Sequence, residues 1–202
     1  MKALFERMYR MIRSPYRPML CVVLLAATLV PGVAHAQRIT GASIDKSSVT
    51  FVGKQMNVPT DGKFGKFAVQ LVFDPAKLAD SRIQMDVDLA SIDTGSAEAN
   101  DEVKGKSWFD VKSNPTARFV STAIKSLGGN RYEATGKMTI KGRTKDVTAP
   151  FTFKPEGQGG MFEGAFTLKR LDYAIGEGAW KDTDTVANEV QVKFRISGTS
   201  GH

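Results

Sequence analysis

Strict alternation of apolar and polar residues limits this chain more than any other feature. Ile83, Met85, Val87 and Leu89 alternate with Arg82, Gln84, Asp86 and Asp88. The same period of two places Tyr132, Ala134, Gly136, Met138 and Ile140 on one side, and Val190, Val192, Phe194 and Ile196 on one side further on. Phe67 to Phe73, Val147 to Phe153 and Phe162 to Leu168 repeat it, with Val49 and Phe51 in an earlier run. Successive side chains of a β-strand point to opposite faces, so each run is a strand with one dry and one wet side. Gly128-Gly129-Asn130, Lys141-Gly142 and Gly157-Gln158-Gly159-Gly160 are hairpin turns between them. About eight such strands at this spacing predict an all-β sandwich or barrel. A closed antiparallel eight-stranded barrel leaves no free edges and is just wide enough for packed side chains or one slender ligand. Lys63 to Phe73 reads as one strand in which Phe64 is out of phase, so a bulge is expected near Gly65.

The alternation stops between Ser91 and Phe119. A polar run there suits a short helix, and Asn114-Pro115 ends it, because the residue before proline is pushed out of the α region. Trp108 and Phe109 stand among charged neighbours. The segment reads as a helical crossover closing one barrel end, with both aromatics turned inwards. A second irregular stretch, Asp172 to Thr185, holds Tyr173, Ile175 and Trp180.

The first 36 residues read as a secretory signal peptide: five basic residues before Pro18, an apolar run from Met19 to Val30, and a small-x-small site at Ala34-His35-Ala36. The run is shorter than the ~20 residues a spanning helix needs. Residues 37–202 then form one domain, without cysteine. The chain has 28 Lys and Arg against 21 Asp and Glu, but five bases and one acid lie in the leader, so the remainder carries +3. No basic cluster of the kind nucleic acid requires is present. With His202 the sole histidine after residue 36, a hydrolase triad and a zinc site lack their residues. No catalytic or metal-ligating residues are expected.

The motifs Ser91-Ile92-Asp93-Thr94-Gly95, Asp101-Glu102, Trp108-Phe109-Asp110, Pro115 to Thr122, Gly136 to Gly142, Lys169 to Tyr173 and Val186 to Val190 occur in fixed order. In this order the chain resembles the YceI family of exported, lipocalin-like lipid-binding proteins over essentially all of residues 37–202. The resemblance implies an extended antiparallel barrel with an apolar pore for a polyisoprenoid, an isoprenoid quinone or a fatty-acid-like chain. Lys54-Gln55 replaces a histidine common in the family, and Asn100 a basic residue that often precedes the aspartate. Both departures bear on the polar end of the pore.

The inward phenylalanines either fill the barrel as core or line a pore, and the resemblance implies the pore. Its expected lining is Phe51, Phe64, Phe67, Val69, Met85, Val87, Ile92, Phe119, Met138, Ile140, Phe151, Phe166, Val192 and Phe194, with Trp108, Phe109, Tyr173, Ile175 and Trp180 as mouth, lid or plug. The fold expected is thus a lipocalin-like eight-stranded antiparallel β-barrel with one short helical crossover. Export to the periplasm and a role as lipid carrier or scavenger are expected with it. The rivals are a packed structural or stress-response barrel and a lipid-modifying enzyme. No cofactor is expected beyond a bound lipid such as a polyisoprenoid. Transient membrane contact is expected, nucleic acid is not, and a homodimer is left open.

Overall fold

The computed structural model describes residues 38–200, and the leader expectation lies outside them. Ten strands form one antiparallel sheet: β1 (Gly41–Gln55), β2 (Val58–Phe64), β3 (Phe67–Val72), β4 (Arg82–Asp88), β5 (Ile92–Asp93), β6 (Thr116–Gly128), β7 (Arg131–Ile140), β8 (Arg143–Glu156), β9 (Gly159–Lys169) and β10 (Glu189–Thr199). The order across the sheet is β3-β4-β6-β7-β8-β9-β10-β1-β2-β5. The eight staves read from the sequence become ten strands because two staves break. One breaks at Gly65-Lys66, separating β2 from β3, and one at Leu89–Ser91, separating β4 from β5.

Both breaks occur at the same corner. The Ser91 carbonyl accepts from the Gly65 N–H at 3.0 Å, and Ser91 Oγ accepts from the Lys66 N–H at 2.9 Å. The expected bulge at Gly65 is therefore a change of partner: β2 pairs with β1 and β5, whereas β3 pairs with β4. Two residues intervene between Phe64 and Phe67, which accounts for their opposite phases. At the other end the curled sheet meets itself where Ile39 and Phe73 exchange two backbone hydrogen bonds of 2.8 Å.

The long strands are joined by tight hairpins. Met56-Asn57 has φ of 50° and 64°, and Lys141-Gly142 has 48° and 69°. Both match the right-handed twist of the flanking strands. Residues 58–61 begin β2, with Pro59 opposite Lys54. Proline is tolerated there because β2 meets its other neighbour, β5, only at Lys63 and Phe64.

Helix α1 (Ala97–Lys104) is capped by Ser96, whose Oγ accepts from the Ala99 N–H at 3.4 Å. It ends at Gly105, well before Pro115, and Gly105 to Ser113 is a chain of turns. The Phe109 and Val111 N–H groups bond back to the carbonyls of Val103 and Lys104, each at 3.1 Å. Those turns, and not a longer helix, fold Trp108 and Phe109 toward the barrel.

Two apolar clusters hold the interior. At the Ile39/Phe73 end, Phe73 is 0% exposed and makes edge contacts with Tyr132, Phe151, Phe153 and Phe162 at centroid distances of 5.0–6.0 Å. At the helical end, Val87, Leu89, Ala117, Ile140, Tyr173 and Ile175 form the second cluster.

Candidate functional site

Between the clusters runs an apolar cavity of about 720 Å³. Its wall is the inward face of the staves. β1 and β2 contribute Val49, Phe51 and Phe64; β3 and β4 contribute Val69, Leu71, Ile83, Met85 and Val87; β6 and β7 contribute Ala117, Phe119, Ala134, Met138 and Ile140. The remaining staves add Ala149, Phe151, Phe162, Phe166, Leu168, Val190, Val192, Phe194 and Ile196. Phe162 and Phe151, backed by Phe73, close the floor.

The helical end forms the mouth. Ser96, Glu98, Ala99, Glu102 and Val103 of the α1 region border it, beside Trp108, Phe109, Ile92, Ile175 and Trp180. The two indoles lie 5.5 Å apart, and Trp180 Nε1 donates to Glu102 Oε1 at 2.9 Å. Lys54, Gln55, Thr60 and Thr94 complete the rim.

Of the residues expected to line a pore, the structure brings all to this wall except Phe67 and Tyr173. Phe67 opens β3 beside the corner at Lys66 and is half-buried between the two clusters. Tyr173, expected as mouth, lid or plug, is 2% exposed and packed in the second cluster. Burial, with Asp172 adding to it, pushes its hydroxyl up to about 12. The helical turn Arg170–Tyr173 rotates this ring away from the opening.

Arg170 was missed, although it continues the inward phase of Phe166 and Leu168. It is 1% exposed, and among the described residues no carboxylate pairs with it. Its guanidinium donates instead to main-chain carbonyls: Nε to Ala187 at 3.1 Å, Nη1 to Ile175 and Gly176 at 2.9 and 3.0 Å, and Nη2 to Trp180 and Val186 at 2.7 Å each. Its Cζ lies 5.9 Å from the centre of the Trp108 ring. One buried cation thus shapes the 175–187 loop that walls the mouth. Desolvation lowers its pKa, yet an arginine stays charged in any protein environment.

A second cation ties the same loop to the crossover. Lys141 Nζ donates to the carbonyls of Lys106 (3.0 Å) and Ala174 (2.8 Å) and to Glu177 Oε2 (2.9 Å). That bond holds the Glu177 carboxyl below its ordinary range. The Ser107 carbonyl accepts from the N–H groups of both Gly176 and Glu177.

The two family departures separate. Lys54 and Gln55 stand on the rim, whereas Asn100 Oδ1 accepts from the N–H and Oγ1 of Thr94 at 2.7 and 2.8 Å and braces the start of α1. Trp108 Nε1 is buried without a hydrogen-bond partner among the described residues. The acid-rich loop near Asp182 is a turn: its carboxylate accepts from the Asp184 N–H and from Thr185 Oγ1, and stays below its ordinary pKa. No three His, Cys, Asp or Glu side chains converge among the described residues. Of the ionisable groups on the wall, Arg170 is engaged with carbonyls and Glu102 with an indole, while Lys54 and Glu98 sit at the rim.

A curled antiparallel barrel with an apolar cavity that opens at the end bordered by one helix and two loops defines a class of small barrels with a lumen. The YceI-like domain model matches residues 42–198, and the chain belongs to that family. A UPF0312 protein of Azotobacter vinelandii is 32% identical over 143 residues, covering 68% of this chain and 72% of that protein. One of Pseudomonas putida is 38% identical over 129 residues, covering 60% and 67%. Among solved structures, Burkholderia cenocepacia BcnA is 50% identical with a TM-score of 0.76, covering 78% of this chain and 99% of that one. A polyisoprenoid binding domain from Saccharophagus degradans, implicated in plant cell wall breakdown, is 14% identical with a TM-score of 0.62, covering 83% and 100%. At that identity it speaks to fold alone.

Proposed function

We propose that the chain is an exported, periplasmic carrier or scavenger that holds an isoprenoid or similar lipid in its lumen and catalyses nothing. The observation that carries this reading is the apolar cavity of about 720 Å³, walled by aliphatic and phenyl groups from every long stave. At ~30 Å³ per water-sized group it has room for roughly two dozen carbons. Burying about twenty carbons at ~0.8 kcal/mol each gives a gross ~16 kcal/mol relative to water, close to the non-covalent ceiling. Relative to a membrane the same transfer is nearly neutral, which suits reversible loading. Among the described residues the ionisable groups on the wall are Arg170, held by carbonyls, and Lys54, Glu98 and Glu102 at the mouth, which leaves the deep lumen apolar. The test is an organic extract and native mass spectrum of protein purified from its own periplasm. A co-purifying lipid of this size is expected; an empty protein that takes up no added prenol would sink the reading.

Loading from a membrane finds support at the rim. Met56 and Val58, at the β1–β2 tip, are 74% and 63% exposed, the most exposed large apolar residues among those described. A methionine at φ 50° is poorly suited to its turn. The tip adjoins the mouth, where the Met56 N–H bonds to the Thr185 carbonyl at 2.8 Å. Burying a Met or Val side chain is worth ~1.5–3 kcal/mol. Met56→Ser with Val58→Thr is therefore expected to slow uptake of a prenol from phosphatidylcholine vesicles at least ~10-fold, with Tm unchanged. An unaltered rate would mean that the hairpin does not touch the bilayer.

A further inference from the structure

Above the Phe162 floor, three phenyl rings of the lumen wall lie over glycines of a neighbouring strand. Phe51 covers Gly62, Phe119 covers Gly136, and Phe194 covers Gly164. Phe51 and Phe194 stand directly opposite their glycines in the strand register. A methyl group added at Gly62 would fall 2.7 Å from Phe51 Cε1 and 2.8 Å from Cε2; one at Gly136 would fall 2.7 Å from Phe119 Cε2, and one at Gly164 2.5 Å from Phe194 Cζ. Each ring therefore occupies the space that a side chain on the next strand would otherwise take.

The backbone does not require these glycines. None of the three has a positive φ, and glycine inside a strand costs ~0.5–1 kcal/mol relative to alanine. What they accomplish is steric. An eight-stave barrel is just wide enough for inward side chains to fill it. A phenyl ring standing upright on the wall would reach the axis, whereas one laid flat over a glycine leaves the axis open.

We propose that Gly62, Gly136 and Gly164 are specificity-determining residues that set the bore of the lumen, wide enough for a methyl-branched chain and not merely for an unbranched one. This rests on the reading that the lumen holds a lipid chain. Gly62 is the informative position. The three nearest neighbours of an added methyl group there are all atoms of the Phe51 ring, whereas at Gly136 and Gly164 the carbonyls of Val120 and Pro150 also stand in the way. Gly62→Ala should tip the Phe51 ring into the lumen and narrow it.

The experiment uses the full chain and N-phenyl-1-naphthylamine as a fluorescent probe of the lumen, displaced by geranylgeraniol, which is methyl-branched, or by hexadecanol, which is not. Gly62→Ala is expected to weaken displacement by geranylgeraniol at least ~10-fold, the scale of one misfitted methyl group in an apolar pocket, while hexadecanol keeps its affinity. Adding Phe51→Leu to Gly62→Ala should restore geranylgeraniol. Unchanged affinities in Gly62→Ala, or an equal loss of both alcohols that Phe51→Leu does not reverse, would overturn the proposal. An unfolded Gly62→Ala that Phe51→Leu does not rescue overturns it too, because the backbone would then require the glycine. Wild-type protein that binds the dye but neither alcohol defeats the lipid reading of the lumen instead. The bore is then decided by the dye alone: weaker binding in Gly62→Ala supports it, and equal binding overturns it.

Discussion

Arg170→Met is expected to lower the melting temperature by at least ~6 °C. The guanidinium is buried and serves five main-chain carbonyls between Ile175 and Ala187 at 2.7–3.1 Å. Hydrogen bonds to a charged group are worth ~1.5–3 kcal/mol each, and a buried carbonyl left alone costs ~1–3 kcal/mol. Part of that cost vanishes as the loop peels away into water, so the net loss should be at least ~3 kcal/mol. For a domain of this size each kcal/mol moves Tm by ~2–4 °C. Methionine fills similar apolar volume, so the difference isolates the polar contacts. Arg170→Lys should recover only part of the loss, because one ammonium with three donors cannot span carbonyls spread around a planar fork. Because Trp180 lies in this loop and Trp108 packs against Arg170, their fluorescence should change with the melt. A Met variant with wild-type Tm and wild-type indole emission would show that the loop holds its shape without the arginine.

The barrel was legible because period-two alternation is a direct imprint of a sheet with one dry face. Tyr132 to Ile140 and Val190 to Ile196 needed nothing else. What escaped was set by tertiary contacts. Ser91 reaches across to Gly65 and Lys66, and that contact splits two staves; no local pattern in Lys63 to Phe73 announces it beyond the phase of Phe64. The helix ends at Gly105 because the turns after it bond back to Val103 and Lys104, which leaves Asn114-Pro115 only the start of β6 to mark. Phe67 was read inward from its phase and does pack against both interior clusters, but at the strand corner it lies off the cavity wall. Tyr173 was read as mouth, lid or plug because it stands outside the regular strands, and a helical turn buries it in the second cluster. Arg170 had a signal in its phase with Phe166 and Leu168. It was overlooked because a cation among inward apolar residues runs against expectation unless backbone carbonyls are there to receive it. The α1 residues bordering the mouth had no signal, since the face a short polar helix turns to a cavity depends on where its caps hold it.

Val87→Trp is expected to leave a folded protein that no longer carries lipid. Val87 is on the cavity wall, stands opposite Phe67 in β3 and Ala117 in β6, and belongs to the most regular run of the sequence. The indole adds about seven heavy atoms against room for roughly two dozen in the lumen. In a filled core that insertion would strain the structure by ~1–3 kcal/mol or more. In an open lumen it takes the space of the ligand, so Tm should fall by no more than a few degrees while lipid occupancy drops at least ~10-fold, as expected when a pocket loses the volume its ligand fills. The two outcomes separate by measuring both quantities on one preparation: Tm by circular dichroism and occupancy by native mass spectrometry after exposure to prenol-loaded vesicles. A stable, empty variant beside a loaded parent places the lipid against β4. A destabilised variant beside a parent that is itself empty means that the side chains close the lumen in solution, and the barrel is then a structural one.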